Sequence, residues 1–372
     1  MHTHADIDRL LDSAETLIQH KAGEGLQLAL RAQRLADGCG HVAGGLRARR
    51  IAGLAQGMMG QAQQATILLA DTLKLAVQAG DVAEEAELLE ALGRCFYSSG
   101  DYGAAMRHWH DCLAVALAGA SYPAFVRAQV GLGQVFFGYE RYDAALEHHY
   151  KAFDYLHLVD DALLRGMVYI NIAQDLYRLL RLDEAAIALQ RAYDVLLPAQ
   201  SLEHEAEIYR MRGQLALARG EVADAYASFM AALKICRLQQ HQWGELMSLI
   251  GIAECRLAES DWLTARETLL ITLALVENAY PSPHLHYRIH AALAKAHAGL
   301  GDTAGVARHR DAYRHHYMAF HSEPPTAVIA ALADRVEASH HEDIRQRALR
   351  LTNDEPLHAA TSINSTPLGN VH

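Results

Sequence analysis

The stretch Leu88–Trp109, "LLEALGRCFYSSGDYGAAMRHW", decides how the rest of the chain is read. Beside it, Gln129–Tyr150, "QVGLGQVFFGYERYDAALEHHY", carries the same features at an offset of 40 residues. Gly93 falls on Gly133, Phe96 on Phe136, Tyr102 on Tyr142 and Ala105 on Ala145, with a turn between the second and third pairs. Continued along the chain, this offset gives one column of alanine: Ala65, Ala105, Ala145, Ala185, Ala225 and Ala265. Twelve residues earlier runs a column of only Gly or Ala: Gly53, Gly93, Gly133, Ala173, Gly213 and Ala253. Small residues at a fixed period mark places where two helices cross too closely for a larger side chain. The short turn between the columns makes the two helices antiparallel neighbours.

A small residue followed twelve later by Ala, with a bulky residue three after the first, resembles the tetratricopeptide repeat. The resemblance runs from about residue 6 to 320 and implies an all-α fold: a right-handed α-α superhelix, or TPR solenoid, of about eight helical hairpins with a period of ~40 residues. The first hairpin, 6–41, has Gly25 where the others have Ala, and the last is shifted by one residue, with Ala294 as its small residue. The family unit is usually about 34 residues. The extra length belongs in both helices, as in the long-repeat sensor and regulator arrays of bacteria that precede diguanylate cyclase or transcriptional output domains. No such output domain is read after residue 322, nor a helix-turn-helix before residue 6.

Composition narrows the function. Net charge is −11 over 372 residues, whereas a nucleic-acid surface needs clustered Lys and Arg. No run of apolar residues is long enough to span a membrane, and the N-terminus lacks the pattern of a secretion signal, starting instead as an amphipathic helix capped near Asp6. The five cysteines are scattered and unpaired in sequence, as free thiols in a reducing cytoplasm would be. Phosphate loops, nucleophile elbows and dinucleotide fingerprints are missing, so neither an enzyme nor a cofactor is expected.

Two clusters invite a metal reading. In "RHWHDC" (107–112), Trp109 and Cys112 fall in core columns, so the segment reads as a repeat helix. In "HLHYRIHAALAKAH" (284–297), His286 and His290 stand at i and i+4 with His297 two turns on; this reads as a solvated, titrating helix face, and a metal-dependent protein is the least favoured alternative.

The resemblance implies that the first helix of each hairpin lines a concave groove, and this groove is the candidate site. Its face carries Glu90, Arg94 and Tyr97; then Arg127, Gln134 and Phe137; then Gln174, Tyr177 and Arg178. It continues with Glu207, Arg210 and Gln214, then Met247 and Glu254, then Arg288 and Lys295. The row directly after the small column, Arg94, Gln134, Gln174, Gln214, Glu254 and Lys295, is polar in every copy, unlike a core face. Its glutamines suit a peptide backbone, and Tyr97, Phe137 and Tyr177 recur beside them as aromatic anchors. Gln stands where carboxylate-clamp arrays carry Asn, which points to a polar peptide or partner helix rather than a C-terminal carboxylate.

The expected organisation is therefore a TPR solenoid over 1–322, a C-terminal capping or dimerisation helix over 323–351, and a disordered tail over 352–372. The expected function is a cytoplasmic, non-enzymatic adaptor or regulator that binds a protein or peptide, with a homodimer through the C-terminal helix as an option. The alternative is a signalling regulator whose array changes shape on binding a peptide or small ligand.

Overall fold

The computed structural model describes residues 3–321 apart from Gln19, Gln200, Tyr280 and Pro281. The expected capping or dimerisation helix (323–351) and the tail lie outside the described residues. The helices follow as antiparallel pairs: α1 (His4–Ile18) with α2 (Ala22–Cys39), α3 (Val42–Met58) with α4 (Ala62–Ala79), and α5 (Val82–Ser98) with α6 (Tyr102–Ala118). Next come α7 (Tyr122–Gly138) with α8 (Tyr142–Phe153), α9 (Ala162–Arg178) with α10 (Leu182–Leu196), and α11 (Leu202–Ala218) with α12 (Val222–Leu238). The last pairs are α13 (Gln242–Ala258) with α14 (Trp262–Ala279) and α15 (Pro283–Gly299) with α16 (Thr303–His321). Among the described residues there is no strand.

A 20-residue cadence underlies the 40-residue repeat. From α2 to α14 every helix begins 20 residues after the one before, and α15 begins one residue late. The same turn recurs at most junctions. A left-handed residue stands at Gly40, Gly60, Gly80, Gly100, Ala120, Glu140, Leu180, Gly220, Gln240, Ser260 and Gly301, with φ between 53° and 83°. The amide that follows reaches back to the carbonyl five residues earlier, as in Asp81 to Ala76 and Asp101 to Phe96, which satisfies helix-end carbonyls. Asp81 and Asp101 then turn their carboxylates onto the amides of Glu84 and Ala104, so one residue closes a helix and opens the next. At two junctions a 3₁₀ turn, Leu156–Leu158 or Leu197–Ala199, replaces this turn while the helix starts keep the cadence. At the second, Pro198 lacks the N–H that would continue α10. At the N-terminus the cap is Thr3 rather than Asp6: Asp6, in the first turn, exchanges hydrogen bonds with Thr3.

The described residues form two units, 3–132 with 150–160 and 133–149 with 161–321. In each unit, first helices lie beside first helices, α1 on α3 on α5 in one and α9 on α11 on α13 on α15 in the other. The small columns explain how the hairpins close. All six alanines of the first column have no exposure. In the second column, a Cβ on Gly53 would sit 2.7 Å from Leu69, on Gly93 2.4 Å from Trp109, on Gly133 2.3 Å from His149, and on Gly213 2.9 Å from Phe229. The partner is always the residue sixteen later, on the second helix. Trp109 and Phe229 also press on a glycine of the following hairpin, Gly131 and Gly251. Gly25 does the equivalent of the alanine column in the first hairpin, with Ile18 2.5 Å from its Cβ position. Ala294 departs from the expectation, being only partly buried.

One member of this column is polar. His149, 1% exposed, directs Nδ1 to Asp175 Oδ2 at 2.5 Å, and Asp175 has no exposure. Burial raises the Asp175 carboxyl and the neighbouring His149 offsets part of that rise.

Two substitutions test this reading. Gly93→Val is expected to cost about 1–3 kcal/mol because the indole of Trp109 already fills the space. Leu180→Gly is expected to stabilise by up to about 1 kcal/mol, since Leu180 is 80% exposed in a left-handed conformation. Urea denaturation followed by circular dichroism measures both.

Candidate functional site

The polar row following the small column is half-open to solvent where a core row would be closed. Arg94, Gln134, Gln174, Gln214 and Glu254 are partly buried and Lys295 is exposed. The two units use their inner polar residues differently.

In the unit containing α1, α3 and α5, the inner charges are spent on one another. Arg50, 6% exposed, donates from Nε to Glu84 at 2.7 Å and from a terminal nitrogen to Glu15 at 3.0 Å, with Glu87 3.7 Å away. Arg127 takes Glu87 at 2.6 Å and Glu90 at 3.3 Å, and Glu90 meets Arg94 at 3.0 Å. Burial alone would raise the Glu87 carboxyl, but Arg127 and Arg50 outweigh it and hold it at about 2. Glu90, Arg94 and Arg127 therefore form part of an ionic lattice tying successive first helices together. Tyr97 rests against Trp109 and Tyr102, its hydroxyl pushed up to about 12 mainly by burial.

The other unit also pairs its charges but keeps a cavity beside them. A cavity of about 300 Å³ is lined by Gln134 of α7, Met167, Ile170, Asn171 and Gln174 of α9, and Glu207 and Arg210 of α11. Trp243 and Ser248 of α13 complete the opposite wall. Four residues expected from the row and its neighbours, Gln134, Gln174, Glu207 and Arg210, are thus brought to one cavity. Gln174 donates to Glu207 at 2.7 Å, and Arg210 grips the same carboxylate through Nε at 2.8 Å and a terminal nitrogen. The Arg210 guanidinium lies 5.6 Å from the Trp243 ring. Burial opposes ionisation of Glu207, and Arg210 prevails, holding the carboxyl below its ordinary value. The wall therefore presents a fixed, neutralised pair, amide groups and an aromatic face.

The remaining residues expected from this unit do not line the cavity. The Tyr177 hydroxyl is raised by burial and feels Glu254, Arg288, Arg178 and Arg210, which places all five in one inner neighbourhood. Arg178 stacks over Tyr142 at 4.6 Å and donates to its hydroxyl. Phe137 meets Tyr142 edge-on at 5.3 Å. Glu254 pairs with Arg288 at 3.4 Å. Gln214, though partly buried, does not line the cavity. Trp243 and Ser248 lay outside the sequence expectation because they stand earlier on their helix than the polar row, and only the scarcity of tryptophan marks Trp243. Asn171, isolated in sequence, proves to be an 8%-exposed wall residue whose amide donates to the Met167 carbonyl.

No protein-family model matches the chain, and no curated protein matches it in sequence. Solved structures do match in fold. The Rap protein complexed with Competence and Sporulation Factor is similar at TM-score 0.60 and 12% identity, covering 93% of this chain and 99% of that one. The apo form of RapI gives 0.59 and 10%, covering 84% and 97%. The APC/C hetero-tetramer Cut9-Hcn1 gives 0.59 and 16% over 88% of this chain, which spans only 55% of that chain. The fold is a tetratricopeptide-repeat array. Its helices are longer than the usual unit requires, and the 20-residue cadence shows that both helices of the hairpin share the extension.

The ionic lattice makes a specific prediction. Arg50→Met leaves Glu84 without its buried partner, and Glu15 and Glu87 with Arg47 and Arg127 alone, and should cost about 3 kcal/mol at neutral pH. The deficit should shrink as pH falls from 7 toward about 4.5, because a buried carboxylate without its partner is held above its ordinary value and takes up its proton in that window. Wild type should behave oppositely: the contribution of Glu87 is full above its ordinary value of 4.5 and is lost as pH falls toward about 2. Denaturant unfolding of both proteins at pH 7 and pH 4 measures this.

Proposed function

We propose that this array is a non-enzymatic adaptor or regulatory protein that binds a polar peptide or an extended segment of a partner protein on the inner face of its second unit. The cavity lined by Gln134, Gln174, Arg210 and Trp243 carries the proposal. Its amides supply both donors and acceptors for a peptide backbone, and Trp243 supplies area for one side chain. The Glu207–Arg210 pair is already neutralised, so the cavity suits uncharged and zwitterionic groups better than a lone anion. A rigid first-helix wall lowers the ordering cost of binding. A Rap protein of similar fold is complexed with Competence and Sporulation Factor, which supports reading this array as a binding scaffold.

Selection from a displayed library of peptides of about 15 residues tests the proposal. Peptides enriched on the wild type are expected to lose at least roughly tenfold in affinity against Gln174→Ala/Trp243→Ala. Arg94→Ala, in the other unit, should leave them unchanged. The proposal fails if no peptide is enriched over a blank surface, or if enriched peptides bind the double variant equally while its circular dichroism matches wild type.

A further inference from the structure

The histidines of the last hairpin are packed, contrary to the solvated face expected from sequence. His290, His297 and His309 are 7%, 6% and 7% exposed. On α15, His286, His290 and His297 share one face, and on α16 His309 and His316 stand two turns apart. The faces meet in a continuous stack. His286 lies on His316 at 4.5 Å, His316 on His290 at 5.5 Å, His290 on His309 at 5.2 Å, and His309 on His297 at 5.0 Å, all within 29° of parallel.

The hydrogen bond at the centre of the stack requires at least one neutral ring. The Nδ1 atoms of His290 and His309 are 3.0 Å apart, so one donates and the other accepts, which two protonated imidazoles cannot do. His286 Nδ1 donates to the Ser282 carbonyl at 2.7 Å, and His297 Nδ1 meets Asp302 at 2.8 Å. Among the described residues no three His, Cys, Asp or Glu side chains are grouped to hold a metal ion.

We propose that the α15–α16 hairpin is a built-in acid switch, docked while this imidazole stack is neutral and released when acid charges it. Burial and the adjoining His309, His316 and His286 lower His290 to about 4, and burial with neighbouring cations lowers His309 and His316. Arg308 and His315 add to the repulsion. Asp302 in the turn and Glu277 on α14 act against it. On the other side of α15, Arg288 is engaged by Glu254 of α13. An open hairpin, with histidines near 6.5, binds protons before the stacked one does. Docking is therefore complete above about pH 6.5 and weakens as pH falls toward about 4.

Hydrogen exchange of the full chain between about pH 7.5 and about pH 5, corrected for intrinsic rates, tests this. Protection over 283–321 is expected to fall at least roughly tenfold relative to 82–118. In His290→Phe/His309→Leu that differential loss should vanish; if this variant proves less helical by circular dichroism, His309→Asn serves in its place. Unchanged relative protection of 283–321 in wild type at the lower pH overturns the proposal. An equal pH-dependent loss in the folded variant overturns it as well.

Discussion

In four hairpins a bulky side chain on the second helix needs a place where the first helix has none. Leu69, Trp109, His149 and Phe229 lie over Gly53, Gly93, Gly133 and Gly213, at distances that a Cβ would violate. This constraint sets how closely those hairpins close. Trp109 and Phe229 then reach the glycines of the next hairpin, so the same atoms that close one pair also seat its successor. The energy is that of close packing, and it depends on what the glycines omit as much as on what the aromatics add.

Much of this was legible in the sequence, because a missing side chain at a fixed interval is a strong signal. The offset of 40 fixed both small columns, the antiparallel hairpins and the placement of Trp109 and Cys112 in the interior. The finer 20-residue cadence was hidden because its left-handed position holds Gly in some copies and Ala, Glu, Leu, Gln or Ser in others. Backbone hydrogen bonds, not residue identity, impose that conformation. Partners contributed by distant helices were also invisible: Asp175 under His149, the imidazole stack of the last hairpin, and Trp243 opposite Gln174. One-dimensional spacing places a residue on a face but does not say what the next helix brings to meet it.

The candidate site shows the same division. The polar row is half-open to solvent, yet its members have different uses. Arg94, with Glu90 and Arg127, lies in an ionic lattice whose charges neutralise each other, while Gln134 and Gln174 border a cavity with Arg210 and Trp243. Buried ion pairs add little net stability over apolar packing, but they leave few free donors for a ligand. Amides that keep unused capacity, beside an aromatic ring, are better placed to hold one.

The most direct test of the account is hydrogen exchange of the chain with and without its tightest selected peptide. The account predicts new protection in the segments of α9, α11 and α13 that carry Gln174, Arg210 and Trp243. Protection confined to the second helices, or to α1, α3 and α5, would contradict it.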